Sequence, residues 1–146
     1  MPRHILTHSN GQEFCSTDYE EENRWLRTTW KGFVTAQDGE AGALETMSLL
    51  RISHAAYLLN DNSQIEGPWF DSVEWLERVW APQARRLGLR AVAHVMQPNP
   101  FSELALATNH NPFDGLFELQ LFSTTAEAEA WLRERQLRDQ QVGIQA

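Results

Sequence analysis

Ala55-Ala56-Tyr57-Leu58-Leu59 is an apolar run with no polar residue at alternate positions. A strand with one wet face alternates, whereas a run of this kind suits a strand covered on both sides, as parallel strands flanked by helices are. Its neighbours in sequence supply those helices. From about Ala36 to Ile52, Ala43, Leu44, Met47 and Leu50 recur at helical spacing and predict a buried face. Thr35 is placed to cap this helix, with Asp38 favouring its positive end. A second helix is expected to start near Pro68, a residue suited to a first helical turn, and to stop at Gly88. Val73, Leu76, Trp80, Ala84 and Leu87 line one side of it, and Trp75 and Val79 point elsewhere. Pro82 removes an internal hydrogen bond and is expected to kink or split the helix. Arg90 to Met96 is a second buried strand.

The rest of the chain fits around this unit. Ile5 to His8 is a short strand followed by Asn10-Gly11, a hairpin turn signal. Phe14 to Tyr19 runs into an acidic turn, and Arg24 to Trp30 returns with strict alternation. Pro98 and Pro100 break the second buried strand, and a short helix is expected from Phe101 to Ala107. A loop with His110 then leads to a last strand, Leu116 to Phe122. Thr124 and Glu127 make a capping box for a final helix carrying Ala128, Trp131 and Leu132, and the polar tail from about Gln136 to Ala146 is expected to fray. Strands separated by helices imply right-handed parallel crossovers. The prediction is a single-domain α/β sandwich over residues 1–146, with a mixed sheet of about five strands, an N-terminal antiparallel hairpin and three to four helices.

Charge and cysteine content restrict the function classes. A net charge of −8 is unsuited to long-range attraction of nucleic acid phosphates or anionic lipid surfaces. No stretch approaches the apolar length of a membrane span. Cys15 is the one cysteine, which leaves no intrachain disulfide and agrees with a cytoplasmic protein. Its surroundings in sequence offer no activating partner, so it reads as a small strand residue. Six tryptophans in 146 residues is a high usage; most are expected in the core, with one or two serving an interface.

Chemistry-bearing residues are few. The five histidines are scattered, and no Cys or acidic partner recurs at metal-ligand spacing. There is no Gly-rich phosphate loop, no Gly-x-Ser-x-Gly elbow and no Cys-x-x-Cys, so neither a catalytic residue nor a cofactor is assigned. Asp71, Glu74 and Glu77 sit near a helix start, where acids interact well with the dipole. The one polar cluster in a telling place is Asp61-Asn62-Ser63, read as a loop at the carboxyl end of the first buried strand, where ligand sites of open α/β sheets gather. The same three residue types are ordinary turn formers. Trp69, Trp75 and Val79 are the candidate interface residues.

The order and spacing of several short stretches resemble the STAS-like proteins. These small bacterial domains are related to anti-sigma-factor antagonists and, more remotely, to CRAL-TRIO lipid-transfer domains. The stretches are Trp30-Lys31-Gly32-Phe33, the apolar strand closing on Asp61-Asn62, Glu74-Trp75-Leu76, Trp80-Ala81-Pro82 with Gly88-Leu89, Ala91-Val92-Ala93, and Phe122 followed by Ala130-Trp131-Leu132. They span about residues 5 to 133. The resemblance implies a strand-first α/β sandwich with a binding, not catalytic, role. In anti-sigma-factor antagonists a Ser or Thr directly after an Asp is the phosphorylated switch; here Asn62 stands between Asp61 and Ser63. The expected function is a non-catalytic protein-interaction or regulatory module, self-associating as a homodimer. The alternative is a domain for a small apolar ligand or lipid, using the loop around Asp61 to Phe70.

Overall fold

The computed structural model describes residues 3–67, 73–98 and 113–143. Pro68, Trp69, Phe70, Asp71, the helix expected over 101–107 and the loop with His110 lie outside the described residues. Six strands form one mixed sheet in simple chain order: β1 (His4–Thr7), β2 (Glu13–Glu20), β3 (Trp25–Gly32), β4 (Tyr57–Ile65), β5 (Ala91–Val95) and β6 (Glu118–Phe122). The pairs β1–β2 and β2–β3 are antiparallel, and β3–β4, β4–β5 and β5–β6 are parallel. The α/β class, the mixed sheet and its antiparallel start are as the sequence predicts, with one strand more than about five.

Helix α1 (Ala36–Ser53) connects β3 to β4. Its start is the expected capping box: Asp38 N–H donates to Thr35 Oγ1 and Thr35 N–H to Asp38 Oδ2, each at 3.1 Å. Helix α2, residues 73–86, precedes β5 and contains a π-helical turn, Leu76–Trp80, between Val73–Trp75 and Ala81–Arg86. Helix α3 (Thr125–Gln141) follows β6. Because the parallel strands succeed one another in a single direction, right-handed crossovers put α1 and α2 on the same face. That face buries Met47, Leu49, Leu50, Trp80, Ala84, Leu89, Leu58 and Val92 together. The opposite face carries Trp25, Tyr57, Leu59, Ala91, Ala93 and Val95 under Ala128 and Leu132 of α3. Both faces of β4 and β5 are therefore covered, which is why their apolar runs do not alternate.

Four local expectations are corrected. Leu44 is 52% exposed, and the buried side of α1 is instead Gly39, Gly42, Ala43, Thr46, Met47, Leu49 and Leu50. The stripe is rotated because Gly42 leaves room for the Trp30 ring and Thr46 bonds to the sheet. Trp75 is not on a free face but packs partly buried against the first core cluster, while Val79 is 39% exposed. Residues five apart in an α-helix lie about 140° apart. The wider π turn brings Trp75 and Trp80 closer to one side; it ends with Ala81 N–H donating to Leu76 O, just before Pro82, which has no N–H to donate. Asp61-Asn62-Ser63 is not a loop, since β4 continues through it to Ile65. Finally, the tail does not fray at Gln136. α3 runs to Gln141 because Gln136 and Asp139 are buried and bonded: Gln136 Nε2 donates to Asn23 O at 2.8 Å, and the Tyr57 hydroxyl bonds Asp139.

Candidate functional site

Strand β4 explains how the polar residues are sorted. Successive side chains of a strand point to opposite faces. Asn60 and Asn62 thus share the α1/α2 side, and Asp61 takes the other. Asn60 stands directly opposite His94 in the β4–β5 ladder. Between Thr29/Asp61 and Lys31/Gln64 the pairing of β3 with β4 slips by one residue, so β4 carries a bulge just after Asn62. Bulges of this kind end regular pairing and re-aim side chains. The β4–β5 pairing stops at Asp61 with Val95, leaving Asn62 to Ile65 beyond it.

The result is an amide–imidazole cluster at the carboxyl ends of β4 and β5. Trp30 Nε1 donates to Asn60 Oδ1 at 2.8 Å. Asn60 Nδ2 donates to Asn62 Oδ1 at 3.2 Å and lies 3.1 Å from His94 Nδ1. Asn62 Nδ2 lies 3.3 Å from His94 Nε2. Asn62 is fully buried and His94 nearly so. The indole N–H is only a donor, so it fixes which end of Asn60 faces it. The Asn60 amide nitrogen then faces His94 Nδ1, which must accept. A neutral imidazole has one acceptor nitrogen, so with Nδ1 accepting from Asn60 the approach of Asn62 Nδ2 to Nε2 is a packing contact and not a hydrogen bond. Nearby, Gln97 Nε2 donates to Gly67 O at 3.1 Å and ties the chain after β5 to the chain after β4.

The three residues singled out in sequence therefore do not act together. Asn62 belongs to the His94 cluster. Asp61, buried on the other side of the strand, accepts the backbone N–H of Ser63 at 2.9 Å, a local turn-like bond inside the bulge. His94 consequently has Asn60 and Asn62 as its neighbours from β4, not the carboxylate of Asp61. Trp30, Asn60 and His94 are residues that sequence reasoning did not assign to a site. A signal was present: His94 is the one polar residue in the fully buried run Ala91–Val95, and Asn60 and Asn62 stand two apart on its neighbour.

Other reactive groups have structural posts. Cys15 is fully buried under α1; burial, then the charges of Glu13 and Glu45, pushes its thiol up to about 12. His4 Nδ1 lies 2.5 Å from Glu45 Oε1 and ties β1 to α1, and His8 stacks on Phe14 at 4.7 Å. Among the described residues no three His, Cys, Asp or Glu side chains are grouped to hold a metal ion. No helix among them is long and apolar enough to cross a membrane.

Fold and cluster together define a class: an α/β domain with a mixed sheet in chain order and an amide–imidazole cluster buried at the ends of its two central strands. In comparisons with known proteins, no family model matches the chain and no curated protein matches it.

Proposed function

We propose that this chain is a non-catalytic binding domain of the STAS-like type, and that it takes a small ligand at the carboxyl ends of β4 and β5. The observation that supports this reading is the network in which Asn60 joins Trp30, Asn62 and His94. Neutral amide and imidazole groups suit recognition: they offer directional donors and acceptors with little charge to desolvate. Proton or acyl transfer would require a base partnered by an acid or nucleophile, and the β4 side chains beside His94 are the amides of Asn60 and Asn62. With one cysteine, and so no intrachain disulfide, the reading is of a cytoplasmic protein.

Native mass spectrometry of the chain purified gently from its own host tests this. The wild-type protein is expected to carry added small-molecule mass above 16.8 kDa, and Asn62→Ala to lose it. A bare chain mass for the wild type would count against the ligand reading.

A second reading, a self-associating interaction module, draws on a different observation. Leu44 and Ile52 of α1 and Val79 of α2 are large apolar side chains exposed on the two neighbouring helices. Under this reading Leu44→Glu with Ile52→Glu lowers the mass seen by light scattering from dimer to monomer. An unchanged mass would remove its main support.

A further inference from the structure

The two layers of helix are held to the sheet by different physics. On one side, α1 and α2 bury Met47, Leu49, Leu50, Trp80 and Leu89 against it. On the other, α3 contributes four buried positions, and two of them, Gln136 and Asp139, are polar. Its apolar anchors are Ala128 and Leu132, with Trp131 partly buried against Phe122 at 5.7 Å.

Charged and polar groups make up the remainder of the attachment. Arg27 of β3 bonds Glu129 of α3 while also holding Glu20 of β2. Arg135 of α3 pairs with Glu118 of β6 and with Asp139, four residues along its own helix. Asp139 in turn receives the Tyr57 hydroxyl of β4. Gln136 reaches the backbone oxygens of Asn23 and Arg24, and Arg133 lies over the Trp25 ring at 5.4 Å. β3, β4, β6 and the β2–β3 turn each meet α3 through at least one polar contact, while β5 meets it through the apolar side chains Ala91, Ala93 and Val95.

We infer that α3 is a releasable cover, latched by these polar pairs, whose opening bares an apolar face of the sheet without unfolding the rest of the domain. α3 follows β6 through Ser123 and Thr124 alone, so it swings away without unpairing a strand. The surface it leaves is Trp25, Tyr57, Leu59, Ala91, Ala93 and Val95, an apolar patch with two aromatic rings. The opposite core, made by α1 and α2, keeps β3, β4 and β5 together while α3 is open. Local opening below the global stability is the usual origin of such exposed states. This device is independent of the amide–imidazole cluster, which lies on the other side of the sheet.

Hydrogen exchange of the whole chain, read by mass spectrometry, is the test. In wild type, amides from Ala128 to Arg138 are expected to exchange as one unit, at least ten-fold faster than those of β4 and β5. The variant Glu129→Gln with Arg135→Gln is expected to speed α3 a further ten-fold or more and leave β4 and β5 unchanged. Protection in β5 shows that the variant is folded. The inference is overturned if α3 in wild type exchanges together with β4. It is equally overturned if exchange is merely graded inward from Gln141 with Leu132 as protected as Leu59, or if a folded variant leaves α3 unchanged.

Discussion

At the scale of single residues, burial decides what a reactive group can do. Cys15 has no accessible surface, and a thiol pushed up to about 12 is almost wholly protonated at neutral pH. The thiolate is the nucleophile, so the native protein is expected not to react with a disulfide reagent at pH 8 over minutes, and to react fully once urea unfolds it. Rapid native labelling would contradict the buried position under α1. The hydroxyls of Thr17, Thr28 and Thr46 follow the same logic. They form a buried chain, 2.8 and 2.9 Å between oxygens, which ends on Gly42 O at 3.0 Å. Thr46 donates to that carbonyl, so it accepts from Thr28, which accepts from Thr17. Each buried oxygen is satisfied, and β2, β3 and α1 are held in one register.

Among the elements, the contact of α1 with β3 is the most exacting. A Cβ on Gly42 would stand 2.9 Å from Cys15 Sγ and closer still to the Trp30 ring. Alanine would favour the helix by about 1 kcal/mol through backbone entropy. Overpacking of a close-packed contact costs about 1–3 kcal/mol, and Trp30 cannot turn aside without giving up Asn60. Gly42→Ala is therefore expected to destabilise by roughly 1 kcal/mol net, as the difference of those two terms. The measurement is a lower urea midpoint with an unchanged m-value. A gain in stability would show that the Trp30 ring has room to move. The same contact reaches the site, since displacing the indole frees the Asn60 orientation that selects the His94 hydrogen. For α2, the chain stays helical through Pro82, with a π turn just before it. That turn carries Trp75 back onto the core, which regular helical spacing does not foretell.

Across the whole molecule, acidic groups at the β2–β3 end make stability depend on pH in two opposed ways. Burial alone would raise Glu20, but bonds from Arg27, Asn23 and Trp25 and the Arg27 charge outweigh it, so its pKa is lowered. A carboxyl lowered in the folded state contributes stability above its unfolded pKa, near about 4.3, and loses it as pH falls. Asp18 goes the other way: burial, then the neighbouring Glu20 charge, raises it. Its protonated form favours folding, so its contribution declines as pH rises through its folded pKa. Calorimetry should find Glu20→Gln lower in Tm than wild type at pH 7, by about 2–5 °C, with the gap closing toward pH 3. Asp18→Asn should be higher at pH 7 by about 1–2 °C, a small effect because Asp18 is partly exposed, and should also converge in acid. Parallel curves at all pH values would mean that neither carboxyl is coupled to folding.

How far the sequence reached follows from the range of the forces involved. The α/β class, the antiparallel start, α1 with its Thr35–Asp38 cap and the double coverage of β4 and β5 were legible, because periodicity, capping and apolar runs act within a few residues. The extent of β4 was not: Asp61-Asn62-Ser63 is turn chemistry by composition, and only pairing with β3 through a bulge keeps it extended. The cluster was legible only as separate polar residues in buried strands and not as a unit, because Trp30, Asn60 and His94 come from three strands and meet only when register sets them side by side. The docking of residues 136–141 likewise depends on Tyr57, some eighty positions earlier in the chain. The sequence by itself determined the order of strands and helices and which of them have an apolar side. Only the tertiary structure decided which polar groups share a face, because strand register and one extra residue in β4 fix that, and both are long-range choices.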